Sequence, residues 1–190
     1  VPSQSGSLTY NGAEQSPVWN NYNPETLAIS GDIKKTAAGT YTAIFTPKGE
    51  YVWSDGTNDP KEVTWTIGRA VVNLPTQNGS LTYTGAVQSP TWSGYDSAKM
   101  TLGGVTSGTD VGSYSATFTP KGNYQWADGS TAARTVPWSI GKSTVAPPQQ
   151  SGNLTYTGSA QTPVWTGYDA TKLTMGGTTS GTNAGTYTAT

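Results

Sequence analysis

Apolar and polar residues alternate along much of this chain with a period of two. Tyr114, Ala116 and Phe118 fall on one side, and Ser115, Thr117 and Thr119 on the other. That pattern predicts a strand with one buried and one wet face. Leu27 and Ile29 alternate around Ala28, Met100 and Leu102 around Thr101, and Leu173 and Met175 around Thr174. Val63, Trp65 and Ile67 form another such face, matched by Val136, Trp138 and Ile140. Pro137 inside that run predicts an edge position or a bulge. No window carries a helical period. Turn signals punctuate the strands: Asn11-Gly12, Asp55-Gly56, Gly103-Gly104, Asp128-Gly129 and Gly176-Gly177. Short alternating strands with frequent turns predict an all-β chain built of sandwiches.

The alternation itself repeats. GSLTYNGAEQSPVW (6–19), GSLTYTGAVQSPTW (79–92) and GNLTYTGSAQTPVW (152–165) are in phase, since 81 − 8 = 73 for Leu8 and Leu81, and 154 − 81 = 73 for Leu154. The aromatic residues keep the same phase without exception. Tryptophans form the columns Trp19/Trp92/Trp165, Trp53/Trp126 and Trp65/Trp138. Tyrosines form Tyr10/Tyr83/Tyr156, Tyr22/Tyr95/Tyr168, Tyr41/Tyr114/Tyr187 and Tyr51/Tyr124, and Phe45 pairs with Phe118. A unit of this length can fold alone, so the pattern predicts tandem domains rather than a solenoid. The expected domains are 1–73, 74–146 and 147–190. The third lacks the equivalent of 118–146, so an open core and a longer parent array are expected.

Composition narrows the chemistry. The 190 residues carry a net charge of −1 with only 11% charged residues, and no basic run offers a seat for nucleic acid. Cys and His are both absent, which removes disulfides, thiolate nucleophiles, imidazole bases and the usual zinc ligands. No apolar run is long enough to span a bilayer as a helix. Thr, Ser, Asn and Gly carry the solubility, in keeping with strands and turns.

One local pattern narrows the sandwich further. Asp110-Val111-Gly112-Ser113-Tyr114-Ser115-Ala116 looks like the tyrosine corner of immunoglobulin domains, with Ala116 where the cysteine would stand. Tyr41 and Tyr187 hold the same position, although Ala37 in the first repeat has no polar side chain to contribute where Asp110 and Asn183 stand. Together with Tyr-Thr-Gly, Gln-Ser-Pro, Ala-Gly-Thr-Tyr-Thr-Ala, Gly-Asn-Tyr and Trp-Ser-Ile-Gly-Lys, the chain resembles bacterial immunoglobulin-like repeats of the MBG type, found in adhesin-like surface proteins. Similar modules occur in phage structural proteins. The resemblance implies tandem immunoglobulin-like β-sandwiches in an elongated rod, at a bacterial cell surface or a virion surface.

Candidate chemistry is sparse. Asp55, Asn58 and Asp59 offer oxygens to a cation, but their spacing departs from an EF-hand loop, and the second repeat lacks the second acid. Trp53 and Trp126, with Tyr51 and Tyr124, sit beside a turn where rings could face a sugar; the competing expectation is that they close the core. Trp19, Trp92, Trp165, Trp65 and Trp138 are expected to be structural. Lys48 and Lys121 recur in Pro-Lys-Gly turns, where solvated lysines are expected. Pro75, Pro147 and Pro148 restrict short linkers, which predicts semi-rigid joints. The reading that follows is a non-enzymatic stalk without cofactor, whose partners are other modules of its own array. The alternative is a multivalent module binding glycans or host surface proteins. Exposure of Trp53 and Trp126 separates the two.

Overall fold

The structure, a computed structural model, describes residues 1–190 and is all-β. No helix is long and apolar enough to cross a membrane. The first repeat contributes β1 (Ser3–Ser5), β2 (Leu8–Thr9), β3 (Val18–Asn20), β4 (Leu27–Gly31), β5 (Gly39–Pro47), β6 (Lys61–Gly68) and β7 (Ala70–Val71). The second contributes β8 (Thr76–Asn78), β9 (Leu81–Thr82), β10 (Thr91–Ser93), β11 (Met100–Gly104), β12 (Gly112–Pro120), β13 (Tyr124–Gln125) and β14 (Arg134–Gly141). In the third only β15 (Gln149–Ser151) and β16 (Val164–Thr166) form.

Each full repeat has a four-stranded sheet, ordered β2-β6-β5-β4 in the first and β9-β14-β12-β11 in the second, and a two-stranded one, β1-β3 or β8-β10. Registers coincide: Tyr41 faces Trp65 as Tyr114 faces Trp138, and Leu8 faces Ile67 as Leu81 faces Ile140. The alternation explains the burial. On β12, Ala116 and Phe118 are fully buried while Ser115 is exposed. On β14, Val136, Trp138 and Ile140 are buried while Thr135, Pro137 and Ser139 are exposed. The two sheets meet through edge-to-face rings, Trp19 on Phe45 at 4.9 Å and Trp92 on Phe118 at 5.0 Å. Such pairs contribute about 0.5–1.5 kcal/mol beyond the area they bury.

Buried indole donors find carbonyls, as buried polar atoms must. Trp65 Nε1 donates to Asp32 O and Trp138 Nε1 to Val105 O. A further set of three contacts was not foreseen. Gln15 Nε2 donates to Thr9 O, Gln88 Nε2 to Thr82 O and Gln161 Nε2 to Thr155 O, so the Gln of each Gln-Ser-Pro or Gln-Thr-Pro phrase ties the opening strand segment to the next loop.

Two turn and strand expectations need correction. Gly103 and Gly104 lie in β11 rather than in a turn. Gly104 has φ +72°, and a Cβ there would stand 2.8 Å from Ser115 O, so glycine is required by the close approach of β12. Pro137 lies in an interior strand, paired with Ser115. Ser139, two positions on, directs its N–H to Gln77 Oε1, so position 137 turns its missing donor to the same side. There β9 pairs only with Ile140 and Gly141, and the side chain of Gln77 takes the strand's place at Ser139. The proline is locally at an edge although its strand is not.

The chain divides into two compact units, Val1–Gly141 and Lys142–Thr190. The first holds both full repeats, each with its own buried cluster, and the boundary expected at 73/74 falls inside it. The second holds β15 paired with β16, plus a Gly177–Ala189 bridge equivalent to the Gly104–Ala116 pair of β11 and β12. Leu173 and Met175, expected to alternate in a strand, lie outside any strand.

Candidate functional site

The aromatic-rich turn between the two longest strands of each repeat is the place where ligand-facing residues were expected. Its geometry follows from local chemistry. Asp55 Oδ1 accepts from the Thr57 N–H at 3.0 Å, and Asp128 Oδ1 accepts from the Ser130 N–H at 3.0 Å. These side-chain turns, with Gly56 and Gly129 at positive φ, reverse the chain. The reversal folds the preceding tryptophan inward.

Trp53 is 8% exposed and Trp126 1%. Trp53 Nε1 donates to Asp59 O at 2.8 Å, and Trp126 Nε1 to Ala132 O at 2.7 Å. A cation covers each ring: Lys61 Nζ lies 5.2 Å from the Trp53 ring centre, and the Arg134 guanidinium 5.2 Å from that of Trp126. The same cations reach back to Asp55 and Asp128. Face, edge and donor of both indoles are therefore occupied. The ligand-facing expectation for Trp53 and Trp126 is corrected: these rings seal the end of their own core and offer no platform to a sugar.

The carboxylates are engaged in the same way. Bonding to Lys61 and to the Thr57 hydroxyl and amide holds the Asp55 carboxyl far below the usual carboxylate range. Bonding to Ser130 lowers that of Asp128, with Arg134 adding to it. Asp59 turns its backbone carbonyl to Trp53. No group of three or more acidic side chains gathers anywhere that could hold a metal ion. Asp55, expected as an oxygen ligand beside Asn58 and Asp59, has both its oxygens bonded within its own turn.

Tyr51 and Tyr124 separate. Tyr51 is 54% exposed, with Val52 beside it exposed as well. Tyr124 is half-buried, because β13 pairs in parallel with β7: Tyr124 faces Ala70 and Gln125 faces Val71. Around this pairing, Ala70 N–H donates to Asn123 O, Val72 N–H to Gln125 O, and Arg69 Nε to Gly122 O, each at 2.9 Å. Asn123 Oδ1 accepts from the Ala38 N–H, and Tyr10 meets the Tyr124 ring edge-on at 5.5 Å. Val72 is buried in the second repeat's core with Met100 and Trp126. The segment expected to face a ligand beside a turn is, in the second repeat, part of a joint. The Pro-bearing linker gave no alternation to announce it, because only two of its residues, Ala70 and Val71, pair with β13.

The tyrosine corner and the recurrent lysines also carry more than their sequence suggested. Tyr41, Tyr114 and Tyr187 each donate from the hydroxyl to a backbone carbonyl four residues upstream, on Ala37, Asp110 and Asn183. The side chain at the accepting position is irrelevant, so Ala37 loses nothing. Lys48 and Lys121 are not simply solvated: their Nζ atoms donate to Pro24 O and Ser97 O, pinning two turns together. No family model matches the chain, and a search of curated proteins finds none that matches it.

Proposed function

We propose that this chain is a non-enzymatic spacer: tandem immunoglobulin-like β-sandwich modules of a bacterial surface protein, stacked to hold another region at a distance. The single observation that supports it most is the joint. A linker that pairs as a strand with the next repeat and sinks Val72 into that repeat's core is stiff in a way a tethered binding module does not need. The tip tryptophans support the same reading, since their rings are occupied within their own repeats. The resemblance to MBG-type repeats supplies the extracellular setting.

The test is motion in solution. Backbone ¹⁵N relaxation across residues 1–141 of the full chain is expected to give one rotational correlation time for both full repeats. Independent tumbling of the two repeats would overturn the spacer reading, because a loose joint transmits neither distance nor direction.

A further inference from the structure

The two full repeats would meet a pull along the chain in the same way. In the second, the chain enters at β7, which pairs with β13 just past the C-terminal end of β12. It leaves at Gly141, beside the N-terminal end of β12, where Ile140 faces Gly112. Entry and exit are therefore separated by the length of β12, about 27 Å for its extended residues.

On the way the entering chain meets β14 and runs in the same direction. β9 is parallel to β14, with Leu81 opposite Ile140 and Thr82 opposite Gly141. The Tyr83 N–H donates to Gly141 O at 2.9 Å. Just ahead of them, Gln77 grips both backbone groups of Ser139: its Oε1 accepts the N–H at 3.2 Å, and its Nε2 donates to the carbonyl at 3.5 Å. The first repeat is built alike. β2 is parallel to β6, the Tyr10 N–H donates to Gly68 O at 2.9 Å, and Gln4 bonds the N–H and carbonyl of Thr66. Pulling on the outer ends of such a pair drives one strand back and the other forward along a shared axis. All the bonds between them are then loaded together, whereas strands parted from one end lose theirs one at a time. Between Gly68, where the first pairing ends, and Ala70, where the joint begins, stands only Arg69, and its Nε bonds Gly122 O. No compliant segment separates the two repeats.

We propose that the chain is a tension-bearing element. Force along residues 1–141 passes through both full repeats in shear, held by β2–β6 and β9–β14 with their glutamine clasps, and crosses the joint without slack. This function goes beyond spacing and does not rest on it. Repeats that tumbled independently could still carry tension, so the relaxation experiment and the one below fail separately.

The chain has no cysteine, so an introduced pair fixes the line of pull. In the full chain, Arg69→Cys with Lys142→Cys loads the second repeat from end to end. Ala86→Cys with Lys142→Cys places both tethers at the Gly141 end, because Ala86 lies between Tyr83, bonded to Gly141, and Gln88, which bridges to Gly108. In optical tweezers at one constant force, the end-to-end tethering is expected to outlast the same-end tethering, with urea midpoints of the two matched. Forced unfolding follows the unfolding rate, so Gln77→Ala should shorten the end-to-end lifetime about fivefold for each bond lost. Tyr114→Phe removes the bond to Asp110 O, off the line of pull. It should lower the urea midpoint and leave the end-to-end lifetime unchanged. Equal lifetimes for the two tetherings, or a loss with Tyr114→Phe as large as with Gln77→Ala, would overturn the proposal.

Discussion

At position 108 the absence of a side chain decides how a tyrosine lies. A Cβ on Gly108 would stand 2.6 Å from Cζ of Tyr114, so only glycine leaves room for the ring there. With that room, Tyr114 stacks on Trp138 at 4.4 Å and 22°. The first repeat has Lys35 at the equivalent position (108 − 35 = 73), and its Tyr41 lies tilted against Trp65 at 5.0 Å and 41°, with Lys35 Nζ 5.4 Å from the ring centre. The two repeats thus show one contact in two versions. Gly108→Ala is expected to push Tyr114 toward the tilted arrangement and to lower stability by about 1 kcal/mol, the low end for an added core methyl because the first repeat shows how the strain is absorbed. Urea denaturation would measure the loss, and near-ultraviolet circular dichroism the change in ring stacking. Nothing in the sequence announced this: Gly108 and Lys35 break the repeat, and repeat comparison rewards what stays the same.

The elements were legible where they alternate and illegible where they do not. β5, β6, β12 and β14 are long enough for period two to show, and their buried faces are those the pattern marked. β7 and β13 have two residues each, too few for any period, and they form only because each meets the other's edge. Gly103-Gly104 reads as a turn because glycine pairs mark turns; here closeness of β12 demands them inside a strand. The turn that joins β5 to β6 carries its own prediction. Asp55 is bonded to Lys61 and Thr57 in the folded chain, so its folded pKa lies below the ordinary value of 3.8. A depressed carboxylate contributes stability that is present above the unfolded pKa and is lost as pH falls through the folded one. Melting temperature should therefore be flat down to about pH 5 and decline below about pH 4. Asp55→Asn should lower the neutral-pH value slightly and flatten the acid limb. The group is exposed, so the effect is modest; a steeper acid limb in the variant would refute the assignment.

Across the first compact unit, the two repeats are coupled by a handful of bonds, the Tyr10–Tyr124 ring contact and the buried Val72. Val72 carries the joint, because burying valine removes apolar surface from water, while the surrounding hydrogen bonds fix register. Val72→Asp would place a carboxylate beside Met100 and Trp126. Unfolding of residues 1–141 followed by calorimetry is expected to change from one transition to two, with the second repeat melting lower by a margin of about 2–4 kcal/mol in stability. A single unshifted transition would mean that the joint contributes nothing. In the third repeat the Tyr187 corner expected from the sequence is in place, and beside it lies a Gly177–Ala189 bridge that the glycine pair Gly176-Gly177, read as a turn, did not announce.

The position of Val72 also separates two ways of counting this chain. By duplication, the first unit ends at residue 73 and the second begins at residue 74. By packing, Val72 already belongs to the second repeat's core, and β7 is a strand of the following body. The unit that was copied and the unit that folds are out of step by a few residues. A second repeat excised at the duplication boundary would start without one of its own core residues and with Trp126 uncovered on that side. The second copy is completed by the tail of the first, so the order of these two is written into the interior of the second.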